Sequence, residues 1–246
     1  MKNILATAAV AAALTTGAFA LTASDNSTNY GGVWTNGSDL GTGFGAWNLS
    51  ATGSGGRYIG ATGLSASSFG IFAGGGAGNS STANRPFDTA MAIGDIFTVQ
   101  IGYTDVTNAG EIGMNLFATN SFRFGLRFTG GGTNWQLNDG GSWFNTGIPW
   151  AGGSPGTTLN VSFTRRVGNS YDIVLGQGAN NYTGTNFTAT SGFMDVDRVQ
   201  FYSSAQGSGQ NMGFDNLSVV PEPSTYALLG LGALALGGYA ARRRRR

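Results

Sequence analysis

Apolar and polar residues alternate along most of this chain, and the period is two. In Phe122-Arg123-Phe124-Gly125-Leu126-Arg127-Phe128, the residues Phe122, Phe124, Leu126 and Phe128 fall on one face of an extended strand, and Arg123 and Arg127 on the other. Phe97, Val99, Ile101 and Tyr103 repeat the pattern, as do Val161 with Phe163, Tyr171 with Ile173 and Leu175, and Val199 with Phe201. In the last such segment Met212, Phe214, Asn216 and Ser218 share one face, with Leu217 and Val219 opposite. Turn signals separate the runs: Asn108-Ala109-Gly110, Gly130-Gly131-Gly132, Asn138-Asp139-Gly140-Gly141, Gly152-Gly153-Ser154-Pro155-Gly156 and Val167-Gly168-Asn169-Ser170. Short strands with such spacing predict an all-β antiparallel sandwich or barrel, with Phe-rich faces buried between sheets and Thr, Ser, Asn and Arg outside. The stretch from Asn29 to Asn84, with Trp34 and Trp47, is the least regular and reads as short edge strands and long loops.

Both ends break the pattern. Lys2, the uncharged run Ile4 to Thr15 and the triplet Ala18-Phe19-Ala20 form a signal peptide over residues 1–20. Signal peptidase is expected to cut after Ala20, with Ala18 and Ala20 as the small residues it requires. At the other end Pro221-Glu222-Pro223-Ser224-Thr225 leads into an apolar run from Tyr226 to Ala241, closed by Arg242, Arg243, Arg244, Arg245 and Arg246. A helix of that length spans roughly 24 Å, short of a hydrocarbon core of roughly 30 Å, so it spans only if the bilayer thins and the arginines snorkel. The arginine cluster should stay cytoplasmic, which puts the body, residues 21–220, on the outer side.

Composition narrows the chemistry of that body. The chain has no cysteine and no histidine, which excludes disulfides, Ser-His-Asp and Cys-His catalysis and His-ligated zinc. Its one lysine, Lys2, lies in the signal peptide, so the body has no P-loop or Schiff-base lysine. The formal charge of +1 comes from the ends. Residues 21–220 hold seven Arg against ten Asp and one Glu, a net −4. A mildly acidic domain lacks the basic footprint of a nucleic-acid binder, so no nucleic-acid partner is expected.

The chain shows two resemblances to known families. Pro221-Glu222-Pro223, the short apolar segment and the terminal Arg cluster together resemble the PEP-CTERM sorting signal. That resemblance implies export, transient anchoring in the inner membrane, cutting near the motif by exosortase, and transfer to the envelope, surface or extracellular matrix of a Gram-negative-type bacterium. Tyr30-Gly31-Gly32-Val33-Trp34 through Gly43-Phe44-Gly45-Ala46-Trp47, then Asn134 to Gly140, and Gly213-Phe214-Asp215-Asn216-Leu217-Ser218-Val219 resemble PEP-CTERM ectodomains of the concanavalin A/laminin G class. This implies a jelly-roll β-sandwich, flanked by the signal-peptide helix and the C-terminal hydrophobic helix. The fold hosts lectins, hydrolases and structural domains alike.

Three readings of the body follow. Glycoside hydrolysis needs two carboxylates across the scissile bond. Here the body has one glutamate, Glu111, and the pair Asp195 and Asp197 sits at a loop–strand boundary, so no catalytic residue is assigned and no enzyme is expected. A sugar-binding surface needs exposed aromatic rings beside amides, and Trp135, Trp143 and Trp150 lie among Asn134, Gln136, Asn138, Asp139 and Asn145. The same tryptophans could instead fill the core. No cofactor is required. Calcium is the metal to weigh, with Asp195, Asp197 and Asp215 as its ligands, though no EF-hand spacing exists. The reading adopted is a non-catalytic, exported envelope or matrix protein that organises surface, biofilm or exopolysaccharide. A dedicated carbohydrate-binding module that holds extracellular polysaccharide is the alternative, and a glycan-active hydrolase the third.

Overall fold

The computed structural model describes residues 23–221, apart from 65–66, 107–108, 151–157, 190–191, 193–194 and 208. The signal peptide with Ala18 and Ala20, the glycine-rich turn at 152–156, Glu222, Pro223, the apolar run and the five terminal arginines lie outside the described residues. Among the described residues no helix is long and apolar enough to cross a membrane.

The strands are β1 (Ala23–Asp25), β2 (Asn48–Thr52), β3 (Gly55–Gly60), β4 (Ser68–Ala73), β5 (Ser80–Pro86), β6 (Asp95–Tyr103), β7 (Glu111–Ala118), β8 (Ser121–Thr129), β9 (Asn134–Asn138), β10 (Trp143–Pro149), β11 (Leu159–Arg165), β12 (Ser170–Gln177), β13 (Asn180–Thr188), β14 (Arg198–Ser204) and β15 (Asn211–Pro221). The first sheet runs β13-β12-β11-β6-β15-β4-β3, with β1 beside β15. The second runs β10-β9-β8-β7-β14-β5-β2. All pairings are antiparallel, and the sheets pack face to face as the expected jelly-roll sandwich. Rings cross the interface: Phe201 of β14 stacks on Phe214 of β15 at 3.8 Å, and Phe124 of β8 meets Phe163 of β11 at 5.4 Å.

Alternation placed most of the core. Phe97, Val99, Ile101 and Tyr103 are all buried, as are Tyr171, Ile173 and Leu175. Two bulges correct the rest. Between β7 and β8, Leu116 pairs with Phe124 but Phe117 with Phe122, so β8 carries one extra residue. The phase of β8 flips there, and Phe122 leaves the face of Phe124 to pack edge-on against Phe117 at 6.2 Å. In β15 the register shifts between Asp215 and Ser218, and Asn216 adopts φ 54°, a left-handed conformation that Asn tolerates. The flip turns Met212 and Phe214, then Leu217 and Val219, all into the core, although strict alternation puts the two pairs on opposite faces.

The Gly213–Val219 motif thus acquires a structural meaning. Asp215 accepts hydrogen bonds from Ser27 N at 2.7 Å and Ser27 Oγ at 3.1 Å, tying the short 3₁₀ turn Ser27–Tyr30 to the sheet. Ser218 Oγ lies 2.7 Å from Thr98 Oγ1. Gly213 stands in register with Gly70 of β4 and Gly102 of β6, and the Thr62 carbonyl lies over Gly213 and Gly102. A Cβ at Gly213 would come within 2.5 Å of Thr62 O, and one at Gly102 within 2.4 Å. We expect Gly213→Val to push the 62–64 segment off the sheet and destabilise the domain by about 1–3 kcal/mol. Equilibrium urea unfolding measures this, and a change below about 0.5 kcal/mol would show that the close approach is dispensable.

The irregular first third is held by buried polar groups. Arg85 occupies a core-facing position of β5 between Ala83 and Phe87, with its side chain fully buried. It lies 3.2 Å from Asp25, equally buried, and donates to the Leu40 carbonyl at 2.6 Å and the Ser38 carbonyl at 3.2 Å. Trp34 and Trp47 fill the core beside it, packed on Phe69 and Phe214.

Candidate functional site: the outer face of the second sheet

Period two sends Trp135 and Leu137 of β9 inward and Gln136 outward, so Trp135 is fully buried and is a core residue, not a surface platform. Trp150 stacks between Tyr103 at 4.1 Å and Phe128 at 3.8 Å and closes that part of the core. Trp143, in register with Asn138, is the tryptophan of the three that lies on the outer face. Its ring packs over Gly125, where a Cβ would come within 2.9 Å of it, and carries the Arg127 guanidinium at 4.0 Å.

Arg127 organises the polar groups beside that ring. Its Nε donates to Gln136 Oε1 at 3.0 Å and its Nη1 to Glu111 Oε1 at 2.7 Å. Thr129 Oγ1 donates to the same Glu111 oxygen at 3.2 Å, and Gln136 Nε2 donates to Asn145 Oδ1 at 3.3 Å. One row further along, Asn115, Gln200, Asn84 and Asn48 stand in register across β7, β14, β5 and β2. Asn115 Nδ2 donates to Gln200 Oε1 at 3.1 Å, Gln200 Nε2 to Asn84 Oδ1 at 3.0 Å, and Asn84 Nδ2 to the Asn48 carbonyl at 3.4 Å. The three carboxamides form a ladder polarised in one direction. Each keeps one unused amide N–H and lone-pair capacity for a ligand.

Glu111 is the one carboxylate within the seven strands of this sheet, and it is paired. Tyr202, beside Gly113 on the same face, has its hydroxyl pushed well above the phenol range, first by burial and then by the negative charge of Glu111. It remains a neutral phenol at neutral pH.

The acids weighed for calcium do not converge. Asp195 pairs with Arg165, Asp197 Oδ2 accepts from Thr119 N at 2.7 Å, and Asp215 is committed to Ser27. Among the described residues no group of three or more His, Cys, Asp or Glu side chains gathers to hold a metal ion.

The pH response follows from burial. Asp25, Asp95 and Asp215 have raised pKa values, in each case first because desolvation penalises the charged carboxylate. A raised carboxyl contributes stability that is fully present below its unfolded value near 3.8 and is lost as pH rises through the folded value. The domain should therefore hold or gain thermal stability between about pH 7 and about pH 5. Tyr30 is raised to about 12, mainly by burial and then by its hydrogen bond to Asp25, so further stability is lost in alkali above 10.0. Calorimetric melts across this range check both limbs, and a steady fall in Tm from pH 7 to 5 would contradict the assignment.

The last strand leads directly to the chain's address. Val219, Val220 and Pro221 pair with Phe97, Ile96 and Asp95, so β15 remains ladder-bonded to its final residue. Residues 219–246 match the PEP-CTERM protein-sorting motif. The protein is thus exported, anchored in the membrane and then processed by exosortase, in the manner of Gram-negative-type bacteria. The PEP-CTERM motif starts inside β15, so the first proline of Pro221-Glu222-Pro223 is also the last residue of the sandwich. No curated protein matches the chain. Similar solved structures include the globular domain of T. cruzi calreticulin (11% identity, 78% of this chain and 89% of that one, TM-score 0.46). Others are an endo-β-1,4-glucuronan lyase from Trichoderma reesei (9%, 70% and 90%, 0.47) and a galectin from Caenorhabditis elegans (13%, 55% and 88%, 0.35). At TM-scores below 0.5 these likenesses carry no inference about this chain's task.

Proposed function

We propose that the exported domain is a non-catalytic polysaccharide-binding module that works at the cell envelope or in the extracellular matrix, where it organises exopolysaccharide or biofilm. The observation that carries this reading is the arrangement on one sheet face of Trp143, the Arg127–Glu111 pair and the Asn115–Gln200–Asn84 ladder. An aromatic ring offers a stacking surface for the C–H face of a sugar, and fixed amides and the Arg127–Glu111 ion pair orient its hydroxyls.

The chemistry of the same face favours binding over turnover. Hydrolysis needs a second carboxylate, and the seven strands supply Glu111 alone. A general base needs a pKa near working pH, and burial moves Tyr202 the other way.

Affinity measured against a panel of neutral and acidic polysaccharides tests the proposal. Trp143→Ala and Arg127→Ala should each weaken binding at least about tenfold, roughly 1.4 kcal/mol. Unchanged affinity in both variants, or release of oligosaccharide products by the wild-type protein, would overturn it.

A further inference from the structure

The opposite face of the sandwich carries a second ladder of the same kind. Asn216 Nδ2 donates to Gln100 Oε1 at 2.7 Å, Gln100 Nε2 donates to Asn160 Oδ1 at 3.2 Å, and Asn160 Nδ2 donates to the Gly176 carbonyl at 3.4 Å. Gln100, Asn160 and Gly176 are in register across β6, β11 and β12. Asn216 joins them from β15 because the bulge and its left-handed φ of 54° bring its amide within reach of Gln100. As on the second sheet, three carboxamides run in one direction and end on a backbone carbonyl.

Unlike an ordinary sheet surface, this ladder lines a trough of about 370 Å³, within the range of small-ligand sites. Thr98 and Ser162 add hydroxyls to its lining, and Val174, 44% exposed, adds an apolar patch. Among the described residues no ionisable side chain lines it. A charged ligand would find no counter-charge there, whereas an uncharged polyhydroxylated chain would meet the amide N–H groups, carbonyls and hydroxyls left over from the ladder, with Val174 for its C–H surface.

We propose that this trough is a second polysaccharide site, selective for uncharged polyhydroxylated polymer, and that one domain thereby bridges two polymer chains. The ligand class rests on the reading of the Trp143 face given above. The two ladders lie on opposite outer faces with both sheets between them, so occupancy of one leaves the other open. Two modest sites on one rigid body raise avidity for a polymer network without any new contact.

The test uses the processed protein recovered from cells, with two differently labelled bead populations coated with a neutral glucan (xyloglucan, laminarin or amylose). A polyuronate coat serves as the anionic control. Wild-type protein should co-aggregate the neutral populations. Gln100→Ala combined with Asn160→Ala, and separately Val174→Glu at its exposed position, should still bind single beads yet lose bridging at least about tenfold. Trp143→Ala should likewise bind through the trough but not bridge. Bridging by both trough variants at wild-type level would overturn the second site, as would complete loss of binding in Trp143→Ala alone. Loss of all binding in the trough variants with full binding in Trp143→Ala would overturn the Trp143-face reading and keep this one. Failure of wild-type protein to bind any neutral glucan would overturn the trough, and failure on the polyuronate coat as well would remove both.

Discussion

Replacing Arg85 with alanine is expected to destabilise the domain by about 3–5 kcal/mol, the range for a buried ion pair that loses one partner. The Arg85 and Asp25 side chains are both fully buried, so the variant leaves an uncompensated carboxylate between the sheets. It also strips the Ser38 and Leu40 carbonyls of their donor and removes the cation from above Trp47, 5.0 Å from the ring centroid. These contacts hold the loop from Tyr30 to Trp47, whose Trp47 Nε1 donates to Tyr30 Oη at 3.0 Å while Tyr30 lies 2.8 Å from Asp25. Against a typical total of about 5–15 kcal/mol, this is about a fifth or more of the stability. A Tm drop of roughly 10 °C follows for a domain of this size. The paired variant Arg85→Met with Asp25→Leu should recover much of the loss, since matched apolar replacements often equal a buried ion pair. Guanidinium unfolding of the three proteins decides the matter. A loss below about 1 kcal/mol for Arg85→Ala would mean that the loop is anchored by Trp34 and Trp47 alone.

The second large effect separates two tryptophans. Trp135→Ala deletes a fully buried ring that meets Tyr103 at 5.6 Å and Phe128 at 5.9 Å, and should cost about 3–5 kcal/mol. Trp143→Ala removes a ring on the outer face and should stay within about 1 kcal/mol of wild type in stability while its sugar affinity falls at least about tenfold. Residual binding by Trp135→Ala, measured below its melting temperature, should match wild type. If instead Trp135→Ala is neutral in stability, the inward phase of β9 is wrong.

Much of this architecture was legible in the chain. The core residues Phe97, Val99 and Ile101 of β6, Val161 and Phe163 of β11, and Tyr171, Ile173 and Leu175 of β12 fall at every second position, and their faces follow from the pleat alone. The bulges at Phe122 and Asn216 were not legible, because an extra residue in one strand appears only against its partner. The buried role of Arg85 is not legible for a related reason. Its core-facing phase is visible in Ser81-Thr82-Ala83-Asn84-Arg85, but Asp25, which makes that burial tolerable, lies 60 residues away in sequence. Of the candidate site, Trp143, Gln136 and Asn145 stood out as an aromatic among amides. The ladder did not, since Asn84, Asn115 and Gln200 meet only through the order β7-β14-β5. The acids of the C-terminal third seemed able to converge on a cation, yet each is already held by Arg165, Thr119 or Ser27. The sorting signal needed no tertiary information, because order and composition along the chain define it.

We propose that this exported sandwich holds polysaccharide on the outer face of its second sheet. Amide and indole NMR resonances, followed while a bound neutral or acidic oligosaccharide is titrated in, test it most directly. Shifts are expected at the Trp143 indole, the Arg127 guanidinium and the carboxamides of Gln136, Asn115 and Gln200, with Trp135 and Trp47 unmoved. Shifts confined to the loops at the sandwich ends, with the Trp143 indole unchanged at saturation, would contradict it.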